Sequence, residues 1–179
     1  PQEARETDDS YDVRLSRSTV VPYLQRIEKM LSGMLVRKPV RLDDVSDLIR
    51  EQLFDVDLEG NDLNVWLYQT SRLAISFGHI GVLVDAPKEG DKTRPYWVTY
   101  TPKDILGWRS EIVEGERQLT QLRLMEQVVE PDGEYGDKII KQIRVLERGR
   151  YEIHRKDDKK NEYKLFEEGE MSLKDKIPF

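Results

Sequence analysis

Apolar positions along this chain change their spacing near residue 80, and that change divides it. From Thr19 to Val36 the residues Val20, Leu24, Ile27, Leu31, Met34 and Leu35 recur at three- and four-residue steps. That spacing predicts one apolar face of a helix. Pro22 suits its first turn and Pro39 ends it. A short second helix, capped by Asp43 or Asp44, is expected to run to Phe54. A third is expected from about Asp62 to Phe77, with Leu63, Trp66, Leu67, Thr70, Leu73, Ala74 and Phe77 inward. Gly78 then stands where a helix C-terminal glycine belongs.

After Gly78 the period becomes two. Strands are expected over Ile80–Asp85 and Tyr96–Tyr100, with Asp85-Ala86-Pro87 ending the first and "KEGDKT" a loose loop between them. "TPKDILGW" reads as a turn, with room for one helical turn. Further strands are expected near 108–113, 118–129, 138–147, 150–156 and 162–167, separated by the turn signals "EGE", "PDGEYG", "RG" and "DDKKN". Helices followed by a largely antiparallel meander predict an α+β fold. Residues 1–10 are polar and aperiodic and are expected to be a disordered arm. Residues 11–87 form a helical part ending in a core strand, and 88–179 a β-rich part continuous with it.

Composition sharpens this picture. Charged residues make up 36% of the 179 and apolar ones 37%. Leu, Ile, Val and Phe number 49, about 27%, above the ~20% below which chains tend to be disordered. A folded domain with a thin core and a wet surface is expected. The net charge of -6 argues against a broad nucleic-acid face. With no cysteine there is no disulfide, thiolate nucleophile or cysteine metal site. The longest uncharged run, 73–84, is too short to cross a bilayer. The chain starts without methionine and stops in mid-pattern, as a piece of a longer protein would.

Candidate chemistry is sparse. In "FGHIGVLVDAP" (77–87) the glycines follow a helix and precede a strand, the reverse of a dinucleotide fingerprint. Gly78 and Gly81 are therefore read as structural, turning a helix directly into a buried strand. His79 and His154 share no pattern and are read as surface or hydrogen-bonded residues rather than ligands. In "DVDLEGND", Asp55, Asp57, Glu59 and Gly60 match four positions of a calcium loop. Trp66 occupies the place of the bidentate glutamate, so an acidic turn capped by Asn61 or Asp62 is expected instead. The acidic pairs Asp43-Asp44 and Glu167-Glu168 lie in polar surroundings, and no serine sits in a nucleophile elbow. No catalytic, metal or cofactor residue is assigned and no cofactor is expected. Arg37, Lys38 and Arg41 are a candidate phosphate or subunit contact, against the plainer reading of cations at a helix C-terminus. Trp66 and Trp108 are expected to be structural.

The order of features resembles a family. "YDVRLSRSTVVPYLQRIEKMLSGMLVRKP", "NDLNVWLYQTSRLAISFGHIGVLVDAP", "RPYWVTYTPKDILGWR" and a β-meander ending in "IPF" are similar, over residues 11–179, to the N-terminal half of tailed-phage portal proteins of the short-tailed and cyanophage-like group. Relatives often carry Arg after the first glycine, where this chain has His79. The resemblance implies a non-enzymatic structural protein, the head–tail connector of a bacteriophage virion. Such proteins form a dodecameric ring at one capsid vertex, pass double-stranded DNA non-specifically, dock the packaging terminase, and meet capsid and tail-adaptor proteins. It implies assembly in the bacterial host cytoplasm and no membrane partner. This chain would supply the outer, wing-like part of the ring. The alternative is a soluble head-assembly or protein-interaction module without a DNA channel; an enzyme would need a convergent polar pocket.

Overall fold

The computed structural model describes residues 2–18, 21–85, 94–113, 115–157, 162–171 and 173–179. The expected helical position Val20, the Ala86-Pro87 strand stop, the 88–93 loop and residues 158–161 of the expected 157–161 turn lie outside them. The fold is α+β: helices in the N-terminal half, then a mostly antiparallel β region. The helices are α1 (Asp8–Arg17), α2 (Tyr23–Leu35), α3 (Asp47–Gln52) and α4 (Leu63–Phe77). The strands are β1 (Gly81–Asp85), β2 (Tyr96–Tyr100), β3 (Ile105–Val113), β4 (Glu116–Asp132), β5 (Gly136–Glu147), β6 (Arg150–Asp157) and β7 (Glu162–Glu170).

The start of the chain is more ordered than its composition suggests. α1 begins at Asp8, inside the stretch expected to be a disordered arm. Thr7 caps it, its side chain accepting from the Ser10 amide at 3.3 Å. Arg14 forks onto Glu6 at 2.8 and 2.7 Å, folding the preceding residues back on the helix. That guanidinium holds the Glu6 carboxyl down at about 2. α3 starts later than expected. Asp44 has a left-handed φ of 55°, so Ser46 is the cap instead, accepting from the Ile49 amide. In α4 the expectation holds closely: Asp62 accepts from the Val65 amide at 2.8 Å, and Gly78, with φ 82°, ends the helix.

β1 and β2 form an antiparallel ribbon, and β3 to β7 a five-stranded meander in chain order. Alternation along the strands makes the layers. Leu83 and Tyr100 point from one face of the ribbon onto Leu122, Leu124 and Leu146 of the meander, with Ile177 closing the cluster. Trp97 points from the other face to Trp66 of α4, ring centroids 4.8 Å apart and nearly perpendicular. The order of layers is thus helix, ribbon, sheet. Only nine apolar residues are buried among the described ones, the thin core that composition predicts. Ribbon pairing joins β1 to β2 across the boundary drawn after Pro87.

Trp108, expected to be structural, and Phe77, expected inward, are both exposed. Trp108 is 63% exposed. It sits on the edge strand β3, from which the buried cluster takes only Ile105. Phe77 ends α4 at the solvent, where Lys103 Nζ stands 5.3 Å from its ring.

Candidate functional site

Two features stand out once the layers are in place: a charged cluster between the sheets, and a helix whose apolar face is largely exposed among the described residues.

The cluster grows from strand alternation. On the sheet's inner face β4 presents Leu122, Leu124 and then Glu126, and β5 presents Leu146, Arg144 and then Gln142. The apolar core therefore gives way to a polar layer within one residue pair. Arg144 Nη1 donates to Asp85 Oδ2 on the ribbon at 2.6 Å. Its Nε lies 2.9 Å from Glu126 Oε1, an ionic contact off the hydrogen-bond direction. Glu126 also accepts from the Tyr100 hydroxyl at 2.6 Å and from Gln142 at 2.9 Å, and Tyr96 donates to Asp85 at 3.3 Å. The Arg144 side chain is 20% exposed. Its two carboxylates keep it protonated, above its already high ordinary value, against the cost of burial. Burial first, then the Glu126 charge, pushes the Tyr100 hydroxyl well above its usual range. Tyr96 and Tyr151 move the same way, each chiefly through burial. This ion network clamps the ribbon to the sheet. Each charged group in it faces an opposite charge, which suits a joint.

α2 is the second feature. Its main neighbour is α4, and it meets α4 along a polar line. Glu28 and Ser32 are its buried residues. Ser76 donates to Glu28 Oε1 at 2.5 Å, with Arg72 3.9 Å from the other oxygen. The apolar face predicted for this helix, with Met30 beside it, lies to one side of that line. Leu24, Ile27, Met30, Leu31, Met34 and Leu35 are 39–69% exposed. The periodicity is real, but the residues it aligns face solvent in this chain. Just past the C-cap Val36 stand Arg37, Lys38 and Arg41, all exposed. The Val40 amide donates to Asn64 Oδ1 at 3.3 Å, which pins this basic stretch beside the first turn of α4. The structure thus brings the three bases together at one end of an open apolar face. Sequence reasoning found the stripe and the bases separately and missed that they form one surface.

The remaining candidates are occupied by structure. In the 55–62 loop Asp57 accepts from the amides of Glu59 and Asn61 and from the Asn61 side chain, which together hold its carboxyl below the usual range against partial burial. Asp55 accepts from the Gly60 amide and pairs with Arg94 at 3.0 Å. The carboxylates expected to build a turn are turned into the loop's own backbone. Among the described residues no group of three or more His, Asp or Glu is arranged to hold a metal ion. His79 is exposed, and His154 lies 3.0 Å from Glu152. A cleft of about 490 Å³ opens beside Trp66 and Trp97, walled by Val82, Val84, Ile177 and Phe179; Lys176 is its one charged residue. Among the described residues its lining is mainly apolar. No described helix is long and apolar enough to cross a membrane.

The chain matches no known protein-family model and no curated protein sequence.

Proposed function

We propose that this chain is the wing-type part of a tailed-phage portal, a structural ring subunit around a DNA channel rather than an enzyme. The observation that carries the reading is that the separate motifs behind the resemblance meet in space. The terminal "IPF" packs on the "GVLVD" strand: Pro178 O accepts from the Val84 amide at 2.9 Å, and Ile177 enters the cluster with Leu83 and Tyr100. A Cβ on Gly81 would fall inside the Phe179 ring, so that glycine serves close approach, while Gly78 serves the left-handed turn. Motifs more than 90 residues apart in sequence that depend on one another sterically are what a shared architecture requires.

The proposed partners follow: further copies of the chain in a ring, the packaging terminase, capsid and tail-adaptor proteins, and DNA passing without sequence preference. An acidic chain suits a conduit, because each phosphate contact adds salt-sensitive affinity that would slow transit. The exposed apolar face of α2 equally favours the second reading, a protein-interaction module without a channel. Light scattering and electron microscopy of the full-length product that carries this segment separate the two. Closed rings are expected; a monomer at high concentration with no ring particles overturns the portal reading. The 179-residue chain by itself is expected to be mostly monomeric, because ring closure needs the full set of contacts that fixes the rotation between neighbours.

A further inference from the structure

The exposed face of α2 has a counterpart on the same molecule. From Gln127 to Asp132 and from Gly136 to Lys141, β4 and β5 pair only with each other. They project as a two-stranded arm beyond the sheet. Such a ribbon is marginal in water without a covering surface. Its outer face carries the cross-strand pair Val129 and Ile139, 60% and 62% exposed, and its turn carries Tyr135, 93% exposed. The turn and the outer face beside it carry Glu134 and Asp137, whereas Glu130 and Asp132 alternate onto the inner face, where Glu130 pairs with Arg155 at 2.8 Å. The α2 surface ends in the opposite pattern, with Arg37, Lys38 and Arg41 and no acid in residues 36–41.

We propose that the β4–β5 arm of one copy of this chain lies along α2 of a second copy, its acidic turn against the basic end of the helix. The lengths agree. Thirteen helical residues span about 20 Å, and six-residue strands also span about 20 Å. The six apolar side chains of α2 offer on the order of 600 Å², near the ~800 Å² per partner of a stable interface. Charge fixes the direction and the partner. A twofold α2–α2 contact would leave the arm uncovered and its acidic turn away from the bases of the helix. An arm-to-helix contact satisfies both surfaces and is heterologous, so it repeats from copy to copy. The contact rests on the ring reading only for its closure. The pairing itself follows from this chain's own surfaces.

The absence of cysteine makes the test direct. Met34→Cys and Tyr135→Cys are prepared separately, at positions 66% and 93% exposed where folding is not at stake. The two are mixed and oxidised mildly across a concentration series. The mixed disulfide is expected to form at least tenfold faster than either homodimer. High salt, or Arg37→Glu with Lys38→Glu and Arg41→Glu in the helix partner, should remove that preference. Adding Glu134→Lys and Asp137→Lys to the arm partner should restore it. Dominant Met34→Cys homodimers would establish a twofold contact and overturn the proposal. Equal rates for all pairs, or no cross-link at millimolar chain, would do the same and point to a different protein as the occupant of α2. A selective cross-link without rings in the full-length product would retain the contact and remove the portal. Rings without the cross-link would do the reverse.

Discussion

Arg144→Met should be among the most damaging single changes in this chain, although no neighbouring residue marks Arg144 in the sequence. The guanidinium stands 2.6 Å from Asp85 and 2.9 Å from Glu126, with side-chain exposures of 20%, 19% and 11% for the three. Methionine keeps the volume and most of the stem's packing, so the change isolates the charge. It leaves two carboxylates facing each other across the ribbon–sheet joint. Removing one partner of a buried ion pair typically costs 3–5 kcal/mol, because the survivor is desolvated and uncompensated. Here Tyr100 and Gln142 still donate to Glu126, and Tyr96 to Asp85. These bonds retain part of the solvation, which places the loss near the lower end, about 3 kcal/mol. At roughly 2–4 °C per kcal/mol for a chain of this size, Tm should fall by about 6–12 °C. Urea unfolding at pH 7 followed by far-UV circular dichroism measures it. Arg144→Lys should lose less, since it keeps a charge but not the second arm of the fork. Arg144→Met combined with Asp85→Asn should be milder than Arg144→Met alone, because one orphaned charge is gone. A loss under 1 kcal/mol for Arg144→Met would put the cluster in the class of screened surface pairs and refute its role as the joint between the layers.

Trp66→Ala should cost about 3–5 kcal/mol as a large-to-small change in a packed layer, since Trp66 is 8% exposed and stacks edge-on against Trp97; a loss below 1 kcal/mol by denaturant melt would mean α4 does not rest on the ribbon through this pair. Tyr100 is held protonated in the folded state, so it adds stability that is complete below the unfolded value near 10 and is lost as pH rises above that value toward the higher folded one. Tyr100→Phe should cost about 1.5–3 kcal/mol at pH 7 for a hydrogen bond to a charged group and flatten the decline seen in urea melts between pH 9 and 11; parallel declines in both proteins would contradict this. The isolated chain should bind duplex DNA weakly, without sequence preference and with a log–log salt slope no steeper than about -3, the limit for three phosphate contacts. Fluorescence anisotropy showing tight binding at physiological salt, or binding that survives Arg37→Ala, Lys38→Ala and Arg41→Ala together, would defeat the phosphate-poor conduit.

What the sequence disclosed and what it concealed divide along a physical line. Strand alternation and turn chemistry are local, and they located β2 at Tyr96–Tyr100 and the successive strands of the meander closely. The stop at Gly78 was equally legible, and the cap of α4 was narrowed to Asn61 or Asp62, of which Asp62 takes it, since each acts on its own helix end. The cap of α3 was not, because Asp43, Asp44 and Ser46 are all competent and only the chain's path, with Asp44 left-handed, chooses among them. Amphipathicity indicated that one face of α2 is apolar, but not that its neighbour in this chain would be a line of Glu28 and Ser32. A periodic stripe records what the helix is built to cover, which need not be its own domain. Trp108 is the same lesson on an edge strand.

The ion network left a trace that was readable in principle. Within β4 and β5 the inward positions run Leu122, Leu124, Glu126 and Val128 against Leu146, Arg144, Gln142 and Ile140. Charged residues at apolar phase on two neighbouring strands ask for a third element to neutralise them, and Asp85 at the end of "GVLVD" is that element. Arg144 lies 59 residues away along the chain, so no local pattern names the match; only the register does. The same register that seals the polar layer with Arg144 lets β4 and β5 run on past their neighbours as an arm that β6 touches through the Arg155–Glu130 ion pair. The joint and the arm are therefore two consequences of one strand pair. Glu126 and Gln142 belong to the network that anchors the sheet to the ribbon, and the outer face between them, with Val129 and Ile139, is exposed to another molecule. A substitution that loosens Arg144 should consequently weaken the arm's cross-link to α2 without touching either contacting surface, and Arg144→Lys, which is expected to stay folded, is the variant in which that coupling is measured. An undiminished Met34→Cys to Tyr135→Cys cross-link in Arg144→Lys, with the stability loss present, would show that the arm is stiff on its own and that the joint does not position it.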